Sequence, residues 1–260
     1  MVAPDSMSAP AVVLLDLDGV VWLAHQPIDG SVDAVARLRA EGIRVLFVTN
    51  NSASTLAEHE AALDAIGIPA AGDVLTSAQA AGVLVEPGER VLVCGGAGVV
   101  EAVESRGCTV VDQGPCEAVM VGFHRTFDYE ELRRAASAVH MGARLIGTND
   151  DATYPTPEGP IPGGGAILAA VSVGSGATPV IAGKPYGPMA GLVRSTVGDA
   201  AAAEAVMVGD RPSTDGRFAA ELGCRYAQVW SGVTAFGTAI EPVPAMSAAN
   251  LAAIVDQLLR

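Results

Sequence analysis

Short apolar runs rich in β-branched residues alternate along the chain with stretches in which apolar side chains recur every three or four positions. The runs are Ala11 to Leu15, Val45 to Val48, Val91 to Val93, Val119 to Val121, Val180 to Ala182 and Ala205 to Val208. Strands separated by helical segments predict βαβ units and a mainly parallel sheet. Between the first two runs, Val32, Val35, Ala36 and Leu38 carry helical spacing and Gly42 supplies the stop. The second run ends in Thr49-Asn50-Asn51. Behind it Thr55 and Glu58 have capping-box spacing ahead of Leu56, Ala61, Leu63 and Ile66, so a helix starts just after a polar strand end.

Polar strand ends are unevenly distributed. Residues 1–78 and 178–260 carry strands that finish in Asp, Thr or Lys, whereas residues 79–177 are quieter. This predicts a core domain made from the two outer segments and an inserted domain between them, with edges near Thr76-Ser77-Ala78-Gln79 and Ser172 to Pro179.

The strand ends hold the candidate chemistry. Asp16 and Asp18 are two apart on an extended chain, so both carboxylates face one way, at the carboxyl end of a strand where open α/β sheets bind ligands. Taken alone, Asp-x-Asp-Gly is as readily a turn. Gly209-Asp210 again follows an apolar strand, with Asp215 beyond it. Carboxylates brought together repel one another unless a cation neutralises them, and magnesium takes one or two carboxylates together with phosphate oxygen and water. Thr49, with Asn50 and a helix start behind it, and Lys184 in Gly183-Lys184-Pro185 add a hydroxyl, backbone amides and an ammonium suited to a phosphoryl group. Each element alone reads as ordinary structure. All four at strand ends predict one phosphate site.

Composition narrows the partners. The 260 residues include 15 Lys and Arg against 29 Asp and Glu, a net charge of -14 with no basic stripe, which excludes a nucleic acid polymer. Four cysteines without CxxC spacing suggest reduced thiols, and Met1 to Pro10 lacks the basic residues of a secretory leader, so a cytoplasmic protein is expected. The uncharged stretch Ile161 to Gly183 is broken by Pro162, Gly163 to Gly165 and Pro179, so no membrane span is expected.

These four elements resemble the motifs of the haloacid dehalogenase superfamily: Asp16-x-Asp18, Thr49, Lys184 and Gly209-Asp210 with Asp215. The resemblance sharpens to the NagD-like branch (subfamily IIA) through Asp16-Leu-Asp-Gly-Val-Val, Thr49-Asn-Asn-Ser, Leu75-Thr-Ser-Ala-Gln, Thr148-Asn-Asp-Asp-Ala-Thr-Tyr-Pro-Thr, Pro162-Gly-Gly-Gly and Gly183-Lys-Pro. It implies an α/β fold: a Rossmann-like, doubly wound parallel-sheet core carrying an inserted α/β cap. It also implies a Mg²⁺-dependent phosphatase acting on a small phosphorylated metabolite such as a nucleotide, sugar, glycerol or glycolate phosphate.

On this reading Asp16 is the nucleophile, Asp18 the acid and base, and Lys184 and Thr49 hold the phosphoryl group. Asp16, Asp18 (by its backbone carbonyl) and Asp210 hold the metal, with Asp215 behind them. Asn50, Asn51 and Tyr154 face the substrate. The chain departs from the branch at Ser52-Ala53-Ser54, where an arginine is common, and at Arg211-Pro212-Ser213, where Arg-Leu-Asp is frequent. A phosphotransferase using the same aspartyl phosphate, or a binder of phosphometabolites, are the alternatives, and a homodimer is compatible with the sequence.

Other features carry less. Cys94-Gly-Gly-Ala-Gly-Val-Val-Glu follows a strand, yet Glu101 stands where a dinucleotide fingerprint needs glycine or alanine. His25, His59, His124 and His140 show no metal spacing and are expected at the surface or in caps. Pro162 to Gly165 reads as a hinge or turn.

Overall fold

The computed structural model describes residues 9–156 and 159–260; the expectation drawn from Met1 to Pro10 lies mostly outside them. The main strands are β1 (Val12–Leu15), β2 (Arg44–Thr49), β3 (Val74–Thr76), β4 (Arg90–Cys94), β5 (Thr109–Val111), β6 (Ala118–Val121), β7 (Arg144–Gly147), β8 (Val180–Ile181), β9 (Val206–Gly209), β10 (Arg225–Val229) and β11 (Met246–Ala248). They form two sheets. The first runs β11-β10-β9-β1-β2-β3 and the second β8-β7-β6-β4-β5, and every pairing in both is parallel. Helices cover both, giving the α/β architecture that the strand and helix periodicities predict.

The six apolar runs read from the sequence all become strands. Five further strands, β3, β5, β7, β10 and β11, are short or have polar ends such as Arg144 and Arg225, so their apolar pattern is diluted. Val180 to Ala182 needs a correction. The sequence assigns it to the outer segments, but β8 pairs with β7 in the second sheet, so that sheet draws its edge strand from beyond residue 178.

Helix α1 (Ser31–Ala40) and helix α2 (Leu56–Ala65) occupy the predicted positions. In α1, Ala34 takes the buried position and Ala36 is exposed, because the buried stripe runs Ser31, Ala34, Val35, Leu38. The capping box on α2 is complete: Thr55 Oγ1 accepts from the Glu58 amide at 3.2 Å, and Glu58 Oε2 accepts from the Thr55 amide at 2.8 Å. Thr76 and Gln79 build a second box on helix α3 (Ser77–Gly82).

Apolar packing joins the sheets. One buried cluster contains Leu14, Leu46 and Met207 of the first sheet together with Val91, Met120 and Ile146 of the second, bridged by Ala78, Ala80 and Ala81 of α3. A second cluster, centred on Phe47, Trp22 and Ile254, fills the opposite face of the first sheet. Small alanines on α3 let the helix approach both sheets closely. His59 corrects a sequence expectation: it is 2% exposed rather than on the surface, packed on the inner face of α2. Among the described residues, no helix is long and apolar enough to cross a membrane.

Candidate active site

In the first sheet the chain leaves β1 toward β2 and β3 on one side and is joined by β9, β10 and β11 on the other. The strand order therefore reverses at the β1/β9 boundary, and the loops beyond the carboxyl ends part there to leave a crevice. Asp16 follows β1 and Asp210 follows β9, so the two residues lie on either side of that boundary. The Asp16 amide donates to the Val208 carbonyl at 3.0 Å, which extends the ladder and fixes where the nucleophile candidate emerges.

A pocket at this point is lined by Asp16, Asp18, Thr49, Asn50, Asn51, Tyr154 and Lys184, all expected at the site. Asp210 and Asp215 lie beneath it, 1% and 0% exposed. The sequence did not assign Phe123, Asn149, Asp151, Arg211 and Thr214, which also line it. Asp151 was within reach, since it belongs to the Thr148-Asn-Asp-Asp segment. Phe123 had no signal, because only folding brings the second sheet's loop over the pocket.

Lys184 organises the floor. Its ammonium lies 2.9 Å from Asp16 Oδ1 and 2.7 Å from Asp215 Oδ1, with the Lys184 and Asp215 side chains 1% exposed and that of Asp16 14%. Burial alone would pull the Lys184 pKa down, but the Asp16 and Asp215 charges outweigh it and hold the group above its ordinary value. The lysine is thus a fixed cation, and Asp16 is the member of the trio open to the pocket.

Asn50 places that lysine. Its Oδ1 accepts from the Lys184 amide at 2.8 Å, and its Nδ2 donates to the Lys184 carbonyl and to Asp151 Oδ2, each at 3.0 Å. The sequence expected Asn50 to face substrate; it lines the pocket, yet its amide is taken up by this bridge. Asn51 Oδ1 accepts from the Ala53 amide, and Thr49 Oγ1 accepts from the Asn51 amide at 3.1 Å. Tyr154 stacks on Phe123 with ring centroids 5.0 Å apart, forming one wall.

Three carboxylates, Asp16 among them, converge at the floor of the pocket. Oxygens of Asp16, Asp210 and Asp215 lie within 4.8 Å of one another. Asp210 Oδ2 accepts from the Val233 amide at 2.7 Å, but its Oδ1 is buried without a partner. An unpaired buried carboxylate oxygen is costly. Burial, then Asp215 and Asp16, pushes Asp210 above the usual carboxylate range, and burial raises Asp215 against the opposing pull of Lys184. Asp18 is raised to about 7, first by burial and then by the Asp16 charge. Oxygen donors crowded around an orphaned carboxylate fit a hard divalent cation.

Asp215 reaches Lys184 because Pro212–Gly216 forms a wide π-type turn, in which Asp215 Oδ2 also accepts from the Arg211 amide at 3.1 Å. The turn presses on Gly209: a Cβ there would stand 2.2 Å from the Asp215 Cβ. Gly209→Ala is therefore expected to destabilise the fold by about 1–3 kcal/mol and to lower turnover by displacing Asp215 from Lys184. Urea unfolding and steady-state kinetics would check both effects, and a variant matching the parent in each would refute the packing argument.

Two family models match the chain, one described as haloacid dehalogenase-like hydrolase over residues 13–109 and one as HAD-hydrolase-like over residues 181–258. The acid sugar phosphatase of Staphylococcus saprophyticus is 35% identical over 225 residues, covering 85% of this chain and 86% of that protein. The chain belongs to the haloacid dehalogenase-like hydrolases.

Its branch is the NagD-like one indicated by the motifs. Among solved structures, glycerol phosphate phosphatase from Mycobacterium tuberculosis in complex with magnesium superimposes with a TM-score of 0.84 at 32% identity, covering 94% of this chain and 77% of that one. The p-nitrophenyl phosphatase from Archaeoglobus fulgidus gives 0.89 at 26% identity, covering 96% and 99%. The Rossmann-like core with a cap is common to this hydrolase and these neighbours.

Proposed function

We propose that this hydrolase is a Mg²⁺-dependent phosphatase of small phosphorylated metabolites, working through an aspartyl phosphate on Asp16. The observation that carries the reading is the carboxylate group beneath the pocket. Asp16 is held at the opening by Lys184, beside an Asp210 oxygen that has no partner. The residues suited to hold Mg²⁺ are Asp16, Asp210 and the backbone carbonyl of Asp18, with Asp215 behind them. The bound cation would offset the repulsion between carboxylate and phosphate.

Asp16 attacks phosphorus in line, forming a P–O bond to its carboxylate while the bond to the departing alcohol oxygen breaks. Asp18 gives that oxygen its proton. In the second half, water attacks the same phosphorus, Asp18 takes the water proton, and the acyl phosphate cleaves to inorganic phosphate and free Asp16. Lys184 and Thr49 hold the phosphoryl oxygens as charge spreads over them in the loose transition state. Residues 79–177, with β8 as an added edge strand, serve as the cap: Phe123 and Tyr154 overhang the pocket and would select the alcohol portion of the substrate. The relatives named for sugar and glycerol phosphates favour a polyol phosphate as the first substrate to test.

A phosphate-release screen across glycerol, sugar, glycolate, pyridoxal and nucleotide monophosphates, with Mg²⁺ and with chelator, tests this. Release that is strong with Mg²⁺ and falls to background under chelation is expected. Acceptor-dependent product in place of inorganic phosphate would point to a phosphotransferase, and binding without turnover to a binder. Mg²⁺ at about 100 times its Kd should also raise folding stability by about 2.7 kcal/mol. An unchanged melting curve across the titration would argue against a cation at the carboxylates.

A further inference from the structure

We infer that the second sheet carries its own metal site, for a borderline-soft divalent cation such as Zn²⁺, built from Cys94, His124 and Glu131. Cys94 closes β4, His124 follows the neighbouring strand β6, and Glu131 lies in the first turn of helix α4 (Tyr129–His140). They meet above the carboxyl end of a parallel sheet, where such folds place ligands. Their Sγ, ring nitrogen and carboxylate oxygen lie within 4.8 Å of one another.

Which nitrogen is used decides the chemistry. Cys94 Sγ is 3.9 Å and Glu131 Oε1 is 3.4 Å from the same atom, His124 Nε2. A nucleophilic relay needs the thiol on one ring nitrogen and the carboxylate on the other. Here the second nitrogen, Nδ1, is 3.2 Å from Thr126 Oγ1, and Phe127 packs edge-on against the ring at 5.9 Å. In the metal-bound form the Nδ1 proton would go to Thr126 Oγ1, leaving the Nε2 lone pair to face one cation together with the Cys94 sulfur and the Glu131 carboxylate. An outer partner on one ring nitrogen that sets the tautomer and leaves the other free for a cation is how zinc-binding histidines are oriented.

The distances also fit. Tetrahedral zinc with the usual bond lengths would set sulfur about 3.6 Å and oxygen about 3.4 Å from the nitrogen. Cys94 is fully buried, while the His124 and Glu131 side chains are 10% and 16% exposed, so the cluster has an entry side. Without a cation, burial and then Glu131 hold the Cys94 thiol protonated, against a smaller opposing pull from Arg134. Binding would therefore release a proton. Because His124 adjoins Phe123, the cation would pin the loop that supplies the pocket wall.

Cobalt titration of the chelator-treated full chain tests this, since thiolate-to-cobalt charge transfer in the near ultraviolet cannot arise from the oxygen donors around Asp210. A band that saturates at one equivalent, is displaced by Zn²⁺ and is absent in Cys94→Ser is expected. No band in the parent, or an undiminished band in Cys94→Ser, would overturn the site. Glu131→Gln, on a more exposed residue, guards against misfolding of the cysteine variant. It should weaken Zn²⁺ binding at least about ten-fold, and unchanged affinity would equally refute the assignment.

Discussion

Asp16→Asn is expected to lower phosphate release by roughly 10⁴-fold or more and to abolish trapping of a phosphoenzyme, because the amide is a poor nucleophile and no neighbour can substitute for it. The two carboxylates beneath the pocket are placed differently. Asp215 is 0% exposed and tied to Lys184, and Asp210 is 1% exposed below the floor. Rapid-quench measurement with a chromogenic phosphate ester would read both turnover and trapping. Retained turnover within ten-fold of the parent would exclude covalent catalysis at Asp16. Asp18→Asn gives the complementary result: nucleophile and floor are intact, but the alcohol leaves without a proton and water attacks without a base. Both half-reactions should slow, by about 10²–10⁴-fold each. Loss confined to one half-reaction would separate the acid from the base.

Lys184→Met should produce the second large effect, on stability as well as rate. The ammonium is buried between Asp16 and Asp215, and removing it leaves two carboxylates facing each other beside Asp210 without the cation that lay between them. Breaking a buried ion pair by deleting one partner costs about 3–5 kcal/mol. Turnover should fall by about 10²–10³-fold as the phosphoryl oxygens lose their fixed cation. Urea unfolding without metal measures the first, steady-state kinetics the second. Added Mg²⁺ should recover part of the stability, since a cation at Asp16 and Asp210 relieves the same repulsion, but not the turnover. A variant as stable as the parent without metal would show that Lys184 does not organise the floor.

The catalytic floor and the second-sheet cluster differ in how visibly they are written in the chain. Asp16, Thr49, Lys184 and Asp210 each follow a short apolar run or carry a recognisable local motif, so a local pattern marks each one. Cys94 also follows an apolar run, but Cys94, His124 and Glu131 show no metal-ligand spacing, and only the parallel pairing of β4 with β6 brings Cys94 beside the other two. Asn50 is a mixed case. Its place behind a strand was legible, but its part in holding Lys184 and Asp151 depends on residues more than a hundred positions away.

The sequence by itself determined the α/β class, the six apolar strands, the α1 and α2 helices with the Thr55 cap, and the residues that stand at strand ends. These follow from short-range rules: side-chain period, β-branching and capping geometry act within a few residues. Tertiary structure alone decided that β8 joins the second sheet, that His59 is buried, that Phe123 overhangs the pocket and that Asp210 is left with an unpaired oxygen. Sheet membership, burial and hydrogen-bond satisfaction are set by contacts between distant segments, whose outcome depends on the packing of the whole chain.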